Sequence, residues 1–142
     1  MPMSATATVV NFNKPTEQMK ERLTPEVVTL TPLLGTWVNV NAATRDIVKV
    51  VLTEKGGVLE VSAFGACSPT PCDWGEAPAQ PYAASVSGGP AVAFSANYAF
   101  SFKKTILTGH LDGDHLIVED FNVFVDKSGR SPYFSQGTFK KV

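Results

Sequence analysis

The sequence has little charge of either sign, few cysteines and no long hydrophobic run. Among its 142 residues 12 are basic and 13 are acidic, and no run of Lys or Arg exceeds two residues. Without a basic patch, we expect no binding to nucleic acid and no attraction to a membrane surface. The apolar runs are far shorter than the roughly 20 residues of a membrane-spanning helix. Two cysteines do not form a disulfide framework.

Motifs of the common enzyme classes are absent as well. The chain has no Gly-x-Ser-x-Gly, phosphate-binding glycine loop, His-Glu-x-x-His or dinucleotide fingerprint, and only two histidines. We therefore predict no cofactor, and the sequence assigns no catalytic residue. The first ten residues carry no positive charge and no long apolar stretch, which is untypical of a secretory signal. We expect a cytoplasmic protein, or else the mature form of a protein that has lost its leader.

The residues that are present follow the pattern of an all-β domain. Hydrophobic residues make up 44% and charged residues 18%, which is enough apolar surface for the core of one domain. From residue 34 onward, short apolar segments alternate with turns rich in Gly, Pro and Asp, and no helical pattern lies between them, which excludes a parallel sheet. Eight strands are predicted, at residues 34–41, 45–53, 58–66, 82–87, 91–101, 105–111, 115–125 and 133–141.

The order of these strands favours a closed barrel. Most of them are joined by short hairpins, such as the turn at Asp112-Gly113. An open meander would leave two exposed edges, and closure removes them. We predict an eight-stranded antiparallel up-and-down barrel over residues 34–142, with a two-sheet sandwich as the alternative. Residues 1–33 are predicted to form an N-terminal arm with a short helix at 15–23.

One short motif supports the barrel by resemblance. Residues 34–39, LGTWVN, resemble the Gly-x-Trp signature that opens the first strand of lipocalins and other calycins, and avidin-like barrels begin with a similar Gly-Thr-Trp-x-Asn. The resemblance implies a lipocalin-like barrel with an internal cavity. It also implies that Trp37 plugs the closed end of the barrel. It names no ligand, since the polar biotin-binding set of avidins has no counterpart here. The stretch CSPTPCDWG at residues 67–75 resembles only uncharacterised proteins.

Aromatic residues mark a candidate ligand cavity. Phe94, Tyr98, Phe100 and Phe102 fall on one face of the most regular predicted strand. This face is interpreted as core, as the wall of a ligand pocket, or as an outward interface between copies of the chain. A pocket wall of this kind suits a small, mostly apolar molecule. The candidate ligand-binding residues are Trp37, Asn39, Trp74, Phe94, Tyr98, Phe100, Phe102 and Tyr133.

The cysteines and histidines allow three interpretations. Cys67 and Cys72 enclose Ser-Pro-Thr-Pro, so they are either two reduced cysteines in a stiff loop or a short disulfide. With His110 and His115 they also offer four zinc ligands, although the spacing is looser than in usual zinc motifs. The two histidines flank a hairpin turn and are expected opposite one another at the surface. We predict no metal.

The leading functional prediction is binding of a small, mostly apolar ligand inside the barrel. A cyclase or isomerase of the same shape is the alternative, with Tyr98, Tyr133, Asp73 and His110 as the residues to test. A filled, non-catalytic barrel that forms a homo-oligomer is the third hypothesis. Trp74 lies in a predicted loop at residues 67–81, and it is interpreted as a lid over the barrel or as a cap on its core.

Overall fold

A computed structural model describes residues 28–142 of the chain. The predicted helix at residues 15–23 lies outside the described residues. Within residues 28–142, no helix is long and apolar enough to cross a membrane. The elements are β1 (Val28–Thr29), a 3₁₀ turn (Thr31–Leu33), β2 (Gly35–Asn39), β3 (Ile47–Lys55), β4 (Val58–Gly65), β5 (Cys72–Ala83), β6 (Gly89–Ala99), β7 (Lys103–Asp112), β8 (His115–Phe124) and β9 (Tyr133–Lys141).

Strands β2 to β9 form a closed antiparallel barrel. Each strand pairs with the next one along the chain, and β9 pairs back to β2. The prediction of an all-β, eight-stranded up-and-down barrel is confirmed, and the sandwich alternative is wrong. The short strand β1 was not predicted, and it pairs in parallel with β6 at Val28–Gly89 and Thr29–Pro90.

The fourth barrel strand differs from its prediction. The sequence predicted a loop over residues 67–81 and a strand over 82–87, whereas β5 begins at Cys72 and ends at Ala83. The prolines of this segment explain the error. Pro78 lies where only β4 flanks the strand, and Pro81 lies where only β6 does. Because a strand with one neighbour can turn the missing N–H outward, neither proline needs to interrupt the pairing.

Alternate residues of the strands fill the middle of the barrel. In this interior, a large side chain covers a glycine of the neighbouring strand. The ring of Phe94 in β6 lies against Gly109 in β7, where any Cβ atom would collide with it. The largest fully buried side chains include Leu33, Ile47, Leu52, Leu59, Phe94, Leu107, Leu116 and Phe139.

The two ends of the barrel have different chemistry. At one end, here called the base, the 3₁₀ turn precedes β2 and contacts β6. Trp37 is 2% exposed there, and its Nε1 donates a hydrogen bond to the carbonyl oxygen of Leu33 at 2.9 Å. The opposite end, here called the mouth, carries the loops at residues 40–46, 66–71, 100–102 and 125–132.

Replacing Gly109 by Ala is expected to lower the free energy of unfolding by about 1–3 kcal/mol, because the added methyl group collides with Phe94 in a filled interior. Urea denaturation followed by circular dichroism measures the change. In the double variant Gly109→Ala/Phe94→Leu, the smaller side chain should relieve part of the collision, so the loss should be less than the sum of the single losses. Thr108→Ala, on the outward face of the same strand, is the control. Equal losses for Gly109→Ala and Thr108→Ala would contradict the packing argument.

Candidate functional site

Four polar side chains point into the barrel at its mouth. They are Lys103 and Thr105 of β7 and Asp120 and Asn122 of β8, here called the mouth cluster. Lys103 is 8% exposed and each of the other three is 1% exposed. Burial of a lysine and a carboxyl is costly unless hydrogen bonds or charges compensate for it. Such a cluster is therefore a candidate functional site.

Asn122 connects the members of the mouth cluster. Its Oδ1 accepts hydrogen bonds from Lys103 Nζ at 3.1 Å and from Thr105 Oγ1 at 2.7 Å. Its Nδ2 donates to Asp120 Oδ2 at 2.8 Å. One amide thus orients the amine and the carboxyl together. Among the described residues, Asn122 supplies the only hydrogen-bond acceptor to Lys103, whose ammonium group has three N–H donors.

A cavity of about 190 Å³ adjoins the mouth cluster. Its volume lies below the ~300 Å³ at which pockets for drug-sized ligands begin, whereas ~150 Å³ is enough to hold a benzene ring. A ligand with one ring therefore fits the cavity. The lining residues are Arg45, Asp46, Gly65, Ala66, Cys67, Cys72, Trp74, Lys103 and Tyr133.

Aromatic rings surround the amine of Lys103. Its Nζ lies 4.7 Å from the ring centroid of Trp74, 5.8 Å from that of Phe100 and 6.0 Å from that of Tyr133. The ring of Trp74 in turn meets Tyr98 and Phe100 edge-on, at centroid distances of 5.6 and 5.5 Å. The ring faces attract a cation. Lys103 thus lies between two surfaces. One is an aromatic wall, formed by Trp74, Phe100 and Tyr133. The other is a polar floor, formed by the other three members of the mouth cluster.

Burial changes the acid–base properties of the site. Burial, together with a hydrogen bond that the protonated Asp120 donates to Asp46, raises the pKa of Asp120 to about 7. Burial also lowers the pKa of Lys103, although the carboxylates of Asp120 and Asp46 oppose that change; Arg130 adds to it. The pKa of Tyr133 is raised, again mainly by burial. Near neutral pH, the cluster therefore holds a carboxyl group poised between its two protonation states.

Part of the predicted ligand-binding set meets at the mouth. Trp74, Tyr98, Phe100 and Tyr133 lie around Lys103 or in contact with its aromatic neighbours. Trp74 belongs to strand β5, so its predicted place in a loop is wrong, and its half-buried side chain packs against the core. Phe102 stacks on Phe100 with centroids 5.7 Å apart, and its side chain is 41% exposed in the turn after β6.

The other three predicted ligand-binding residues do not line the cavity beside Lys103. Trp37 is at the base, and Phe94 fills the middle of the barrel, so the interface interpretation of its strand face is wrong there. Asn39 is engaged by the backbone of the neighbouring loop. Its Nδ2 donates to the carbonyl oxygen of Ile47 at 3.0 Å, and its Oδ1 accepts from the amide of Asn41 at 2.9 Å.

Of the four residues selected as tests for catalysis, Tyr133 lines the cavity. Burial raises the pKa of Tyr98 to about 12, and its hydroxyl donates to the carbonyl oxygen of Gly75 at 2.8 Å, so it is a structural anchor. Asp73 is exposed and accepts from the amide of Gly75 at 2.8 Å. His110 is exposed on the outside of β7, near the base.

Cys67 and Cys72 form a disulfide with their Cα atoms 5.4 Å apart. Of the interpretations of these two cysteines, the structure therefore agrees with the short disulfide. His110 and His115 lie at the base, away from the cysteines, and they are not opposite one another, because β8 pairs His115 with Asp112. The part of the chain that the structure describes holds no group of three or more His, Cys, Asp or Glu side chains suited to a metal ion.

Sequence analysis missed the mouth cluster, although strand periodicity carries a signal for it. In β8, Leu116 and Val118 occupy the inward face, and the same alternation continues to Asp120 and Asn122. Phe121, between the last two, faces outward and is 40% exposed. A strand that places polar residues on its core face therefore marks a candidate functional site.

Comparison with known proteins adds no relative. The chain matches no protein-family model, no curated protein and no solved structure. Its own geometry therefore defines its class, a closed antiparallel barrel with a filled middle and a polar mouth.

Replacing both cysteines by serine is expected to lower the free energy of unfolding by about 2 kcal/mol, the loop-closure contribution for so short a loop. Urea denaturation with and without dithiothreitol measures it. The reductant should destabilise the wild type by a similar amount and leave Cys67→Ser/Cys72→Ser unchanged. A wild type that is insensitive to the reductant, with a free thiol titre of two, would contradict the disulfide.

Replacing Asp120 by Asn is expected to flatten the pH dependence of stability between about pH 4 and pH 7. The folded chain keeps the Asp120 proton up to about pH 7, whereas the unfolded chain releases it near the ordinary value of 3.8. In the wild type, this carboxyl therefore favours folding most below pH 4 and loses that contribution as the pH rises to about 7. Urea denaturation of both proteins across this range measures the difference. Parallel pH profiles would show that Asp120 titrates as an ordinary carboxyl.

Proposed function

We propose that the protein binds a small ligand at the mouth of its barrel, with an oxygen acceptor at Lys103 and an apolar body against the aromatic wall. The observation that carries this proposal is the environment of Lys103. Its side chain is buried beside a cavity, and the described residues offer it one acceptor. A buried donor without a partner is costly, and a ligand oxygen removes that cost.

The proposed ligand is smaller than the sequence alone led us to expect, and it binds nearer the surface. The interior expected to hold it is occupied by Phe94 against Gly109. The cavity at the mouth, by contrast, combines the ring of Trp74 with the amine of Lys103, so it suits a molecule with one apolar and one polar end. The position of Trp37 at the base supports a lipocalin-like or calycin-like kinship, which stays a proposal.

A second candidate function is acid–base catalysis on such a ligand, as in the predicted cyclase or isomerase. The observation that favours it is Asp120, whose pKa is raised to about 7 by burial and by Asp46. A carboxyl with a pKa near the working pH can both donate and accept a proton. The side-chain amide of Asn122 forms hydrogen bonds both with this carboxyl and with the amine of Lys103.

The location, oligomeric state and partners of the protein stay predictions. The Cys67–Cys72 disulfide argues against the predicted cytoplasmic location, because disulfides persist more often in oxidising compartments. A homo-oligomer is supported by the exposed apolar side chains of Ile106, Phe121 and Phe134 on the outer surface. That the protein binds neither nucleic acid nor a membrane stays a prediction from its composition. Native mass spectrometry of protein purified from its source cells reports oligomer mass, the disulfide and any bound ligand together.

Lys103→Met is expected to weaken binding of benzamide, a one-ring probe with an acceptor oxygen, by about tenfold to a hundredfold, the cost of losing a hydrogen bond from a charged donor. Tryptophan fluorescence measures binding, because Trp74 forms the wall of the cavity while Trp37 is buried at the base. Lys104→Met, on the outer surface, should bind as the wild type does. A wild type that does not respond to benzamide, benzoate or benzaldehyde at millimolar concentration would overturn the proposal.

A further inference from the structure

We propose that Lys103 is a nucleophilic amine that forms an imine with a small aldehyde or ketone bound at the mouth. This inference rests on the proposed function, and it names the class of ligand as carbonyl compounds. Lys103 is set apart by its place in the barrel, since its neighbour Lys104 lies on the exposed outer face. A lysine becomes a nucleophile when its surroundings disfavour the charged ammonium form.

The surroundings of Lys103 meet that requirement by geometry. Lys103 is 8% exposed and lines the cavity, and its Nζ lies within 6.0 Å of the ring centroids of Trp74, Phe100 and Tyr133. Burial disfavours the charged ammonium and lowers the pKa of Lys103, and this outweighs the opposing effect of the Asp120 and Asp46 carboxylates. The cavity supplies the space in which a ligand carbon can approach the nitrogen.

The charges at the mouth favour a neutral carbonyl over an anionic ligand. Asp46 lines the cavity, and Asp120 lies beneath it, so a carboxylate or phosphate would meet two acidic groups. The nearby cations offset them little. Arg45 is exposed at the rim, and Arg130 forms an ion pair with Asp126 at 2.7 Å. A carbonyl oxygen accepts hydrogen bonds without adding charge.

The reaction requires no reagent beyond the two partners. The lone pair of the Lys103 nitrogen forms a bond to the carbonyl carbon while the C=O double bond opens onto oxygen. A proton then passes from the nitrogen to that oxygen, which gives a neutral carbinolamine. A second proton, from the Asp120 carboxyl, allows the oxygen to leave as water, and the nitrogen lone pair forms the C=N bond. The products are a protonated imine, a carboxylate and one water molecule.

Reductive trapping with benzaldehyde and sodium cyanoborohydride tests the inference. The hydride reduces the imine to a stable benzylamine, and peptide mapping locates it in the wild-type chain without any substitution. We expect Lys103 to be labelled at least about tenfold faster than Lys104, because binding holds the aldehyde beside it. Lys103→Met should lose this rapid labelling, and Lys104→Met should retain it. Circular dichroism shows whether each variant is folded.

Two further outcomes separate this inference from the proposed function. Benzamide has an acceptor oxygen but forms no imine, so its binding reports on the site alone. Benzamide binding with equal labelling of Lys103 and Lys104 would overturn the imine and leave the binding site in place. A protein that binds neither benzamide nor benzaldehyde and shows no preference for Lys103 would overturn both.

Discussion

The pairing of β9 with β2 is the constraint on which the rest of the molecule depends. Three residue pairs, from Trp37–Lys141 to Asn39–Phe139, convert a meander with two edges into a closed barrel. Closure then fixes which alternate residues of every strand point inward. It also limits the interior to what side chains of about eight strands can fill, which is why Gly109 stands opposite the ring of Phe94.

The same pairing leaves one side of the mouth open. β2 ends at Asn39, whereas β9 continues from its pairing with β2 toward the mouth as far as Tyr133, with β8 as its remaining neighbour there. The barrel is thus incomplete along this side of the mouth, and a groove of about 430 Å³ lies between Asn39 and Gly137. Inward residues at the mouth lie close enough to solvent for polar groups, provided that they bond to one another as Asn122 and its partners do.

Most of the fold could be predicted from the sequence, because strand periodicity and turn residues are local signals. The hairpin at Asp112-Gly113 and the alternation of β6 were both predicted. The position of β5 could not be, since the tolerance of Pro78 and Pro81 depends on where neighbouring strands end. Where the neighbouring strands end depends on the register of the sheet, and no single segment of the sequence determines that register.

The mouth cluster was less predictable for a related reason. Lys103 and Lys104 are adjacent and chemically identical, and only the phase of β7 decides which of them enters the barrel. Leu107 and Gly109 point inward and lie on the same face of β7 as Lys103. The predicted strand began at residue 105, two residues too late to include Lys103 in this alternation. The approach of Asp46 to Asp120 depends on barrel closure over the whole chain, so local sequence gives no sign of it. Residue type therefore pointed to the aromatic wall and missed the polar floor.

The order of the strands also governs when the site comes into existence. Asp120 and Tyr133 are contributed by the last two strands, and the wall around them is complete only after β9 has met β2, the most distant pairing in the chain. Contacts between such remote segments form slowly, because a long loop must close before they are made. A nascent chain therefore carries an amine and a carboxyl in contact with water until folding ends. Chemistry that depends on their burial starts only then.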